Sequence, residues 1–200
     1  DVLRRLAGEL AGIAALPTQQ ARALDWRRLN NLQPTRPLVW ITELPWHEMD
    51  VNGELTLQAE HPAARQVEQN LRRTLYQWRH LPADMVIDDW LGSPLVIEDS
   101  GFGIEEQVSL IRQDEASDIA SREFTPQLDS EADIQKIKDP VLCLDTEASQ
   151  RAYIALTQVV GDLLPVRQVG IVHQWFAPWD ELIRWWHPQK ALLDLIERPA

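Results

Sequence analysis

Three segments of the chain carry apolar residues at helical spacing, and short apolar runs separate them. The stripes lie in residues 2–16, 62–78 and 146–163. The short runs predict strands at residues 38–41, 85–87 and 166–172. Strands that alternate with long helices indicate βα units around a parallel sheet. The sequence therefore predicts an α/β fold.

Weaker patterns complete this interpretation. Alternating apolar and polar residues at 54–60 predict an edge strand, and residues 107–111 and 119–124 flank a polar turn that is typical of a hairpin. Further helices are predicted at residues 19–31 and from Pro178 and Pro188 onwards.

The chain is acidic, with 19 Lys and Arg against 31 Asp and Glu and a net charge of -12. This charge disfavours binding to nucleic acid and to anionic membranes. No apolar run approaches the ~20 residues that cross a bilayer. The single cysteine, Cys143, suits a reducing compartment, and its leucine neighbours predict a buried, inert thiol. We expect a cytoplasmic protein.

Three segments carry motifs in a fixed order along the chain. Residues 36–49 begin Arg-Pro-Leu-Val-Trp, residues 84–94 place an Asp five residues before a Pro, and residues 169–182 contain Ala-Pro-Trp. Together they resemble the uroporphyrinogen decarboxylase superfamily. Its members are (β/α)8 barrels and include the decarboxylase and cobalamin-linked methyltransferases.

The resemblance implies the N-terminal portion of a TIM (β/α)8 barrel. Residues 1–35 would form a helical extension, and residues 36–200 would form the first βα units. A complete barrel takes roughly 250 residues or more, so we expect it to be incomplete in this chain. The remaining strands would come from a longer parent chain, a separate chain or a homo-oligomer.

One departure from the family bears on function. In the decarboxylase, two arginines after the first strand hold the acidic side chains of the substrate, and the matching positions here are Glu43 and His47. The resemblance therefore implies a methyltransferase of corrinoid-linked one-carbon metabolism that acts on a small methylated substrate. A divergent decarboxylase-type lyase and a non-catalytic binding domain are the alternatives. The methyltransferase members imply a corrinoid on a partner protein and a zinc held by residues outside this sequence, so no metal ligand is assigned here.

Three side chains are candidates for catalysis. Asp89 follows the strand predicted at 85–87, and barrel enzymes collect catalytic groups at the C-terminal strand ends. Glu43 and His47 follow the first predicted strand, and His47 can titrate near neutral pH. A turn cap for Asp89 and a surface loop for the other two are the structural alternatives.

Four further residues are candidates for substrate binding. Trp46, Trp90 and Trp175 each come after a predicted strand end, and aromatic rings hold methylated ammonium groups by cation–π attraction. His173 ends the last predicted strand, where a structural, hydrogen-bonded histidine is the alternative. For the tryptophans the alternative is packing at the barrel rim or at an oligomer interface.

Overall fold

The computed structural model describes residues 1–50, 52–111, 120–171 and 177–198, which form a mixed α/β fold. The helices are α1 (Val2–Ala14), α2 (Pro17–Asn30), α3 (Trp46–Met49), α4 (Pro62–His80), α5 (Thr146–Val160), α6 (Pro178–Trp186) and α7 (Pro188–Glu197), with a 3-10 helix at Glu131–Lys136. The strands are β1 (Leu91–Pro94), β2 (Val96–Asp99), β3 (Val108–Ile111), β4 (Ser121–Phe124), β5 (Leu142–Asp145) and β6 (Val166–Val169).

The chain divides into two compact units, each built from two separate stretches of sequence. Unit 1 comprises Asp1–Pro94 and Glu147–Gly170, and unit 2 comprises Leu95–Thr146 and Ile171–Ala200. Residues 1–35 therefore belong to the same unit as the segments that follow them up to Pro94.

Helices α1 and α4 supply most of the core of unit 1. Leu6, Ala7 and Leu10 of α1 and Leu71 and Leu75 of α4 are all at most 4% exposed. Their spacing puts them on one face of each helix, and each buried leucine contributes about 2 kcal/mol. Both predicted helices are confirmed.

Proline sets the start of several helices. At the first helical position its missing N–H has no intrahelical partner to lose, and its fixed φ suits the helix. The helices that begin in this way are α2, α4, α6 and α7. The predicted starts at Pro62, Pro178 and Pro188 are confirmed, whereas α2 begins at Pro17 rather than at Gln19.

Strands β1 and β6 form a parallel pair in unit 1. Leu91 lies opposite Val166, and Pro94 lies opposite Val169. The chain enters β6 from α5, whose last residue, Val160, is fully buried in the core. Parallel neighbours require such a crossover connection. The predicted strand at 166–172 is confirmed in its first part.

The strands expected at residues 38–41, 54–60 and 85–87 are wrong, because no described strand covers them. Side chains of α2 explain the outcome at 84–87. They lie at i, i+3 and i+7 of that helix and are Gln19, Arg22 and Trp26. We call these three residues the α2 clasp.

The α2 clasp binds the main chain of residues 84–87. Trp26 Nε1 donates to the carbonyl of Asp84 at 2.8 Å, and Arg22 Nη1 donates to the carbonyl of Met85 at 3.1 Å. The N–H of Ile87 donates to the Gln19 side-chain oxygen at 2.9 Å. Since these backbone groups already have partners, they do not need a neighbouring strand.

Unit 2 contains two antiparallel strand pairs. Strands β3 and β4 pair with Val108 opposite Phe124, which confirms the predicted hairpin. Strands β2 and β5 pair with Val96 opposite Asp145.

Helices α6 and α7 of unit 2 meet at His187, which has φ 71°. Trp185 is buried, and its carbonyl accepts the N–H of Leu128 at 3.1 Å. Trp186 Nε1 donates to Asp194 at 2.8 Å across the two helices. Both helices are confirmed.

The described strands form three separate two-stranded sheets and no closed barrel. The sheets of the described residues therefore bear out the α/β class and do not confirm the expected TIM barrel. Among the described helices, none combines the length and the hydropathy needed to cross a membrane.

Candidate functional site

Asp84 joins the first two segments that carry the family resemblance. Its N–H donates to the carbonyl of Val39 at 3.1 Å, and the N–H of Val39 donates to Asp84 Oδ2 at 2.9 Å. Arg36 donates from both terminal nitrogens to the same carboxylate. Residues 36–49 and 84–94 are therefore adjacent within unit 1.

The Asp84 side chain stays ionised although it is buried. The two-pronged hydrogen bond from Arg36 and the amide of Val39 outweigh the effect of burial and lower the pKa of Asp84 from 3.8 to about 2. A carboxylate with that pKa holds no proton to exchange near neutral pH. Asp84 therefore acts as an anchor between the two segments.

Glu43 and His47 are both exposed. His47 lies in the single turn of α3, and its Nε2 is 3.3 Å from Oε1 of the adjacent Glu48. Within the part of the chain that the structure describes, no hydrogen bond or ion pair connects Glu43, His47 and Asp89 to one another. The three candidate catalytic side chains share a unit, and no contact assembles them.

Asp89 lies before strand β1, which begins at Leu91. The expectation that it follows a barrel strand is wrong, because the preceding residues 85–87 are held by the α2 clasp instead of pairing as a strand. The C-terminal end of β1, where barrel chemistry would be expected, is Pro94. Asp89 is exposed at the opposite end.

The two described candidate tryptophans each have an arginine of this chain over the ring. The Arg73 guanidinium lies 5.1 Å from the Trp46 ring centroid, and that of Arg167 lies 4.9 Å from the Trp90 centroid. Trp46 also packs edge-to-face on Tyr76 with centroids 6.2 Å apart. One face of each ring is therefore already engaged in a cation–π contact.

His173 and Trp175 lie outside the described residues. The segment that contains them, residues 169–182, is described at its start, where Val169 pairs with Pro94. Only this first residue of the third segment is shown to pair with the second segment, and the Ala-Pro-Trp motif of the third segment belongs to unit 2.

Cys143 is exposed in β5, so the prediction of a buried thiol is wrong. The leucines beside it are also exposed, because β5 belongs to a sheet of only two strands. The residues that the structure describes hold no group of three or more His, Cys, Asp and Glu side chains that could bind a metal.

A network around Glu54 escaped the sequence analysis. Its carboxylate is 2.9 Å from His80 Nε2 and 2.7 Å from Arg79 Nη1, and its carbonyl accepts Arg72 Nη1 at 2.7 Å. The hydrogen bond from His80, together with Arg79, lowers the pKa of Glu54 despite the opposing effect of burial. The three basic residues share α4, but only the fold brings residue 54 to them.

Buried Glu68 extends this network on α4. It accepts Arg72 Nε at 2.7 Å and the N–H groups of Gln58 and Ala59 at 2.9 and 2.7 Å. The i,i+4 spacing of Glu68 and Arg72 was the available sequence signal.

Comparisons with known proteins identify no relative. No protein-family model matches this chain, and neither the curated proteins nor the solved structures contain a match.

Proposed function

We propose that this chain forms part of a uroporphyrinogen decarboxylase-like barrel enzyme. In this proposal it is a methyltransferase of corrinoid-linked one-carbon metabolism that acts on a small methylated substrate. The observation that carries the proposal is that the first resembling segment contacts the second, and that the second pairs with the strand that ends at the first residue of the third. Residues 36–49 meet residues 84–94 at Asp84, and residues 84–94 pair in parallel with Val166–Val169. In a (β/α)8 barrel, βα units that follow one another along the chain lie side by side.

In the proposed barrel, β1 and β6 are adjacent strands. A parallel sheet is normally covered on both faces and contains more than two strands. Strands from a longer parent chain, a separate chain or another copy would complete the barrel. A homo-oligomer or a C-terminal segment is therefore part of the proposal.

Glu43 and His47 are the proposed substrate-recognition residues. Both are exposed and follow the segment that Asp84 anchors, so a ligand can reach them. A carboxylate attracts the positive charge of a methylated ammonium group and repels the carboxylates of a porphyrinogen. Arg73 and Arg167 each cover one face of the Trp46 and Trp90 rings, so a methylated ammonium group would have to contact the other face.

The described residues do not fit the zinc that the methyltransferases use. No suitable ligand cluster occurs among them, and the lone thiol, Cys143, lies in a two-stranded sheet of unit 2. We therefore derive no step through zinc or through the corrinoid. In this proposal, the residues of this chain orient the methylated substrate. Asp89 makes no hydrogen bond or ion pair with Glu43 or His47 within the described residues.

A binding titration tests the proposal. Tetramethylammonium and trimethylamine are titrated into the protein in separate experiments, with sodium chloride at equal ionic strength as the baseline, and tryptophan fluorescence is recorded. Saturable binding is expected. Glu43→Gln should weaken it about fivefold, which corresponds to roughly 1 kcal/mol for one screened charge pair. Glu60→Gln is the matched control, since Glu60 is exposed and makes no ion pair within the described ranges.

The same titration separates the alternatives. Tight binding of uroporphyrinogen in place of the methylated amines would favour the decarboxylase-type lyase and contradict the charge argument at Glu43 and His47. Binding of neither ligand class would refute the proposed recognition and favour a non-catalytic domain. Equal effects of Glu43→Gln and Glu60→Gln would show that only net charge matters.

A further inference from the structure

A cavity of about 200 Å³ lies in unit 1 between α1, α4 and the segment that contains Glu54. The residues that line it are Arg5, Leu6, Glu54, Arg72, Leu75 and Arg79. This volume holds several water-sized groups and is smaller than the roughly 300–1,000 Å³ of sites for drug-sized ligands. The cavity therefore suits a small ligand, and three guanidinium groups surround it.

One of these guanidinium groups is already paired with two carboxylates. Arg79 donates to Glu9 at 2.5 Å and to Glu54 at 2.7 Å. Glu54 in turn binds His80, so its carboxylate has two basic partners. The carboxylate of Glu54 is thus already engaged by side chains around it.

The other two guanidinium groups retain donors. The Arg72 side chain is only 7% exposed, and its Nε and Nη1 bind Glu68 and the Glu54 carbonyl. Its Nη2 is buried and has no hydrogen-bond partner in the part of the chain that the structure describes. Arg5 is exposed, and its side chain makes no hydrogen bond or ion pair within the described residues. A buried donor without an acceptor is destabilising, so an acceptor at Arg72 would be favourable.

We propose that this cavity is a binding site for a small oxyanion, a phosphoryl or carboxylate group held between Arg5 and Arg72. Guanidinium groups match the paired oxygens of such anions in charge and in geometry. Arg5 would supply an accessible charge, and Arg72, which also lines the cavity, would supply a second guanidinium. The site is separate from Glu43 and His47, so it stands independently of the proposed function.

Isothermal titration calorimetry on the whole chain at neutral pH tests this site. Sodium phosphate and sodium acetate are titrated separately against a sodium chloride baseline of equal ionic strength. Saturable binding of one or both anions is expected. Binding of phosphate would identify the site as one for a phosphoryl group, and binding of acetate as one for a carboxylate. Arg5→Gln should weaken binding about tenfold or more, because it removes a charge-assisted hydrogen bond.

Two further variants control for charge and for folding. Arg27→Gln makes the same charge change at an exposed helical arginine outside the cavity, and it should bind as the unmodified protein does. Arg72→Lys keeps the charge and removes the planar fork, so it should lose binding, and thermal unfolding checks that it remains folded. Absence of saturable binding by either anion would overturn the proposal. An equal loss in Arg27→Gln and Arg5→Gln, or normal binding by folded Arg72→Lys, would also overturn it.

Discussion

Glu68 offers the most direct test of how unit 1 is held together. Its side chain is fully buried, and its two carboxylate oxygens accept hydrogen bonds from three donor groups. These donors are the N–H groups of Gln58 and Ala59 and the Nε of Arg72. In Glu68→Gln one acceptor oxygen becomes an NH2 group that faces these donors.

The expected loss is about 3 kcal/mol in the free energy of unfolding. Removing one partner of a buried ion pair costs about 3–5 kcal/mol, and the glutamine limits the loss because it keeps one acceptor oxygen. For a chain of this size, 3 kcal/mol corresponds to a decrease in Tm of roughly 6–12 °C. It is a large fraction of the typical 5–15 kcal/mol of total stability.

Urea denaturation followed by far-ultraviolet circular dichroism measures this change. Glu60→Gln provides the matched control, because Glu60 is exposed and an isolated surface substitution stays within about 0.5 kcal/mol. A Glu68→Gln variant as stable as Glu60→Gln would refute the assignment of Glu68 as the buried centre of this network.

The pH dependence supplies a second readout. Burial would raise the pKa of Glu68, but the hydrogen bonds from Ala59, Gln58 and Arg72 outweigh it and lower that pKa below 4.5. The stabilisation is therefore complete above the pKa of the unfolded chain and is lost as pH falls through the folded pKa. The difference in the free energy of unfolding between the native protein and Glu68→Gln should decrease below pH 4.5. A gap that is constant with pH would contradict this reasoning.

Three further predictions concern the anchors of unit 1. Because the pKa of Asp84 is about 2, Asp84→Asn should be less stable than the native protein down to pH 3.8. The two stabilities should converge only as pH falls towards 2, as measured in acid titrations followed by circular dichroism. Equal acid stability would exclude the pairing with Arg36. Trp26→Phe removes the donor to the Asp84 carbonyl and should lower the free energy of unfolding by about 1–2 kcal/mol in urea, whereas an unchanged value would show that this bond is dispensable. His80→Gln should raise the pKa of Glu54 in a carbon-13 NMR titration, and an unaltered pKa would contradict the role of His80.

The helices could be predicted because their signal is local. Apolar stripes at 3.6-residue spacing and prolines at the first helical position are enough to locate α1, α4, α6 and α7. The hairpin of β3 and β4 is local as well, since its strands are close in sequence. In each case the residues that decide the structure are near neighbours.

Strand β1 of unit 1 could not be predicted, because its partner β6 is distant in sequence. Strand β1 reads Leu-Gly-Ser-Pro, which resembles a turn, and only its pairing with β6 makes it a strand. Residues 85–87 have the composition of a strand, but the α2 clasp occupies their backbone groups. The intrinsic preference of these residues for a strand is weaker than the effect of hydrogen bonds to residues distant in sequence.

The candidate site was accessible to sequence analysis only in part. The segments 36–49 and 84–94 contact each other, yet Asp84, which joins them, gave no signal beside the more conspicuous Asp89. The burial of Glu68 and Arg72 was equally hidden, because an i,i+4 charge pair is ordinarily a surface feature. The role of a charged residue depends on whether the fold buries it or leaves it in contact with water.

The α2 clasp makes an uneven contact, since three side chains on one partner grip the peptide groups of the other. Every residue type except proline offers those same peptide groups. Apolar exchanges at Met85 or Ile87 would therefore keep all three hydrogen bonds, whereas a change at Gln19, Arg22 or Trp26 would remove one of them. In a saturation mutagenesis library, Gln19, Arg22 and Trp26 should tolerate fewer substitutions than Met85 and Ile87, which accept other apolar residues that fill the same buried space.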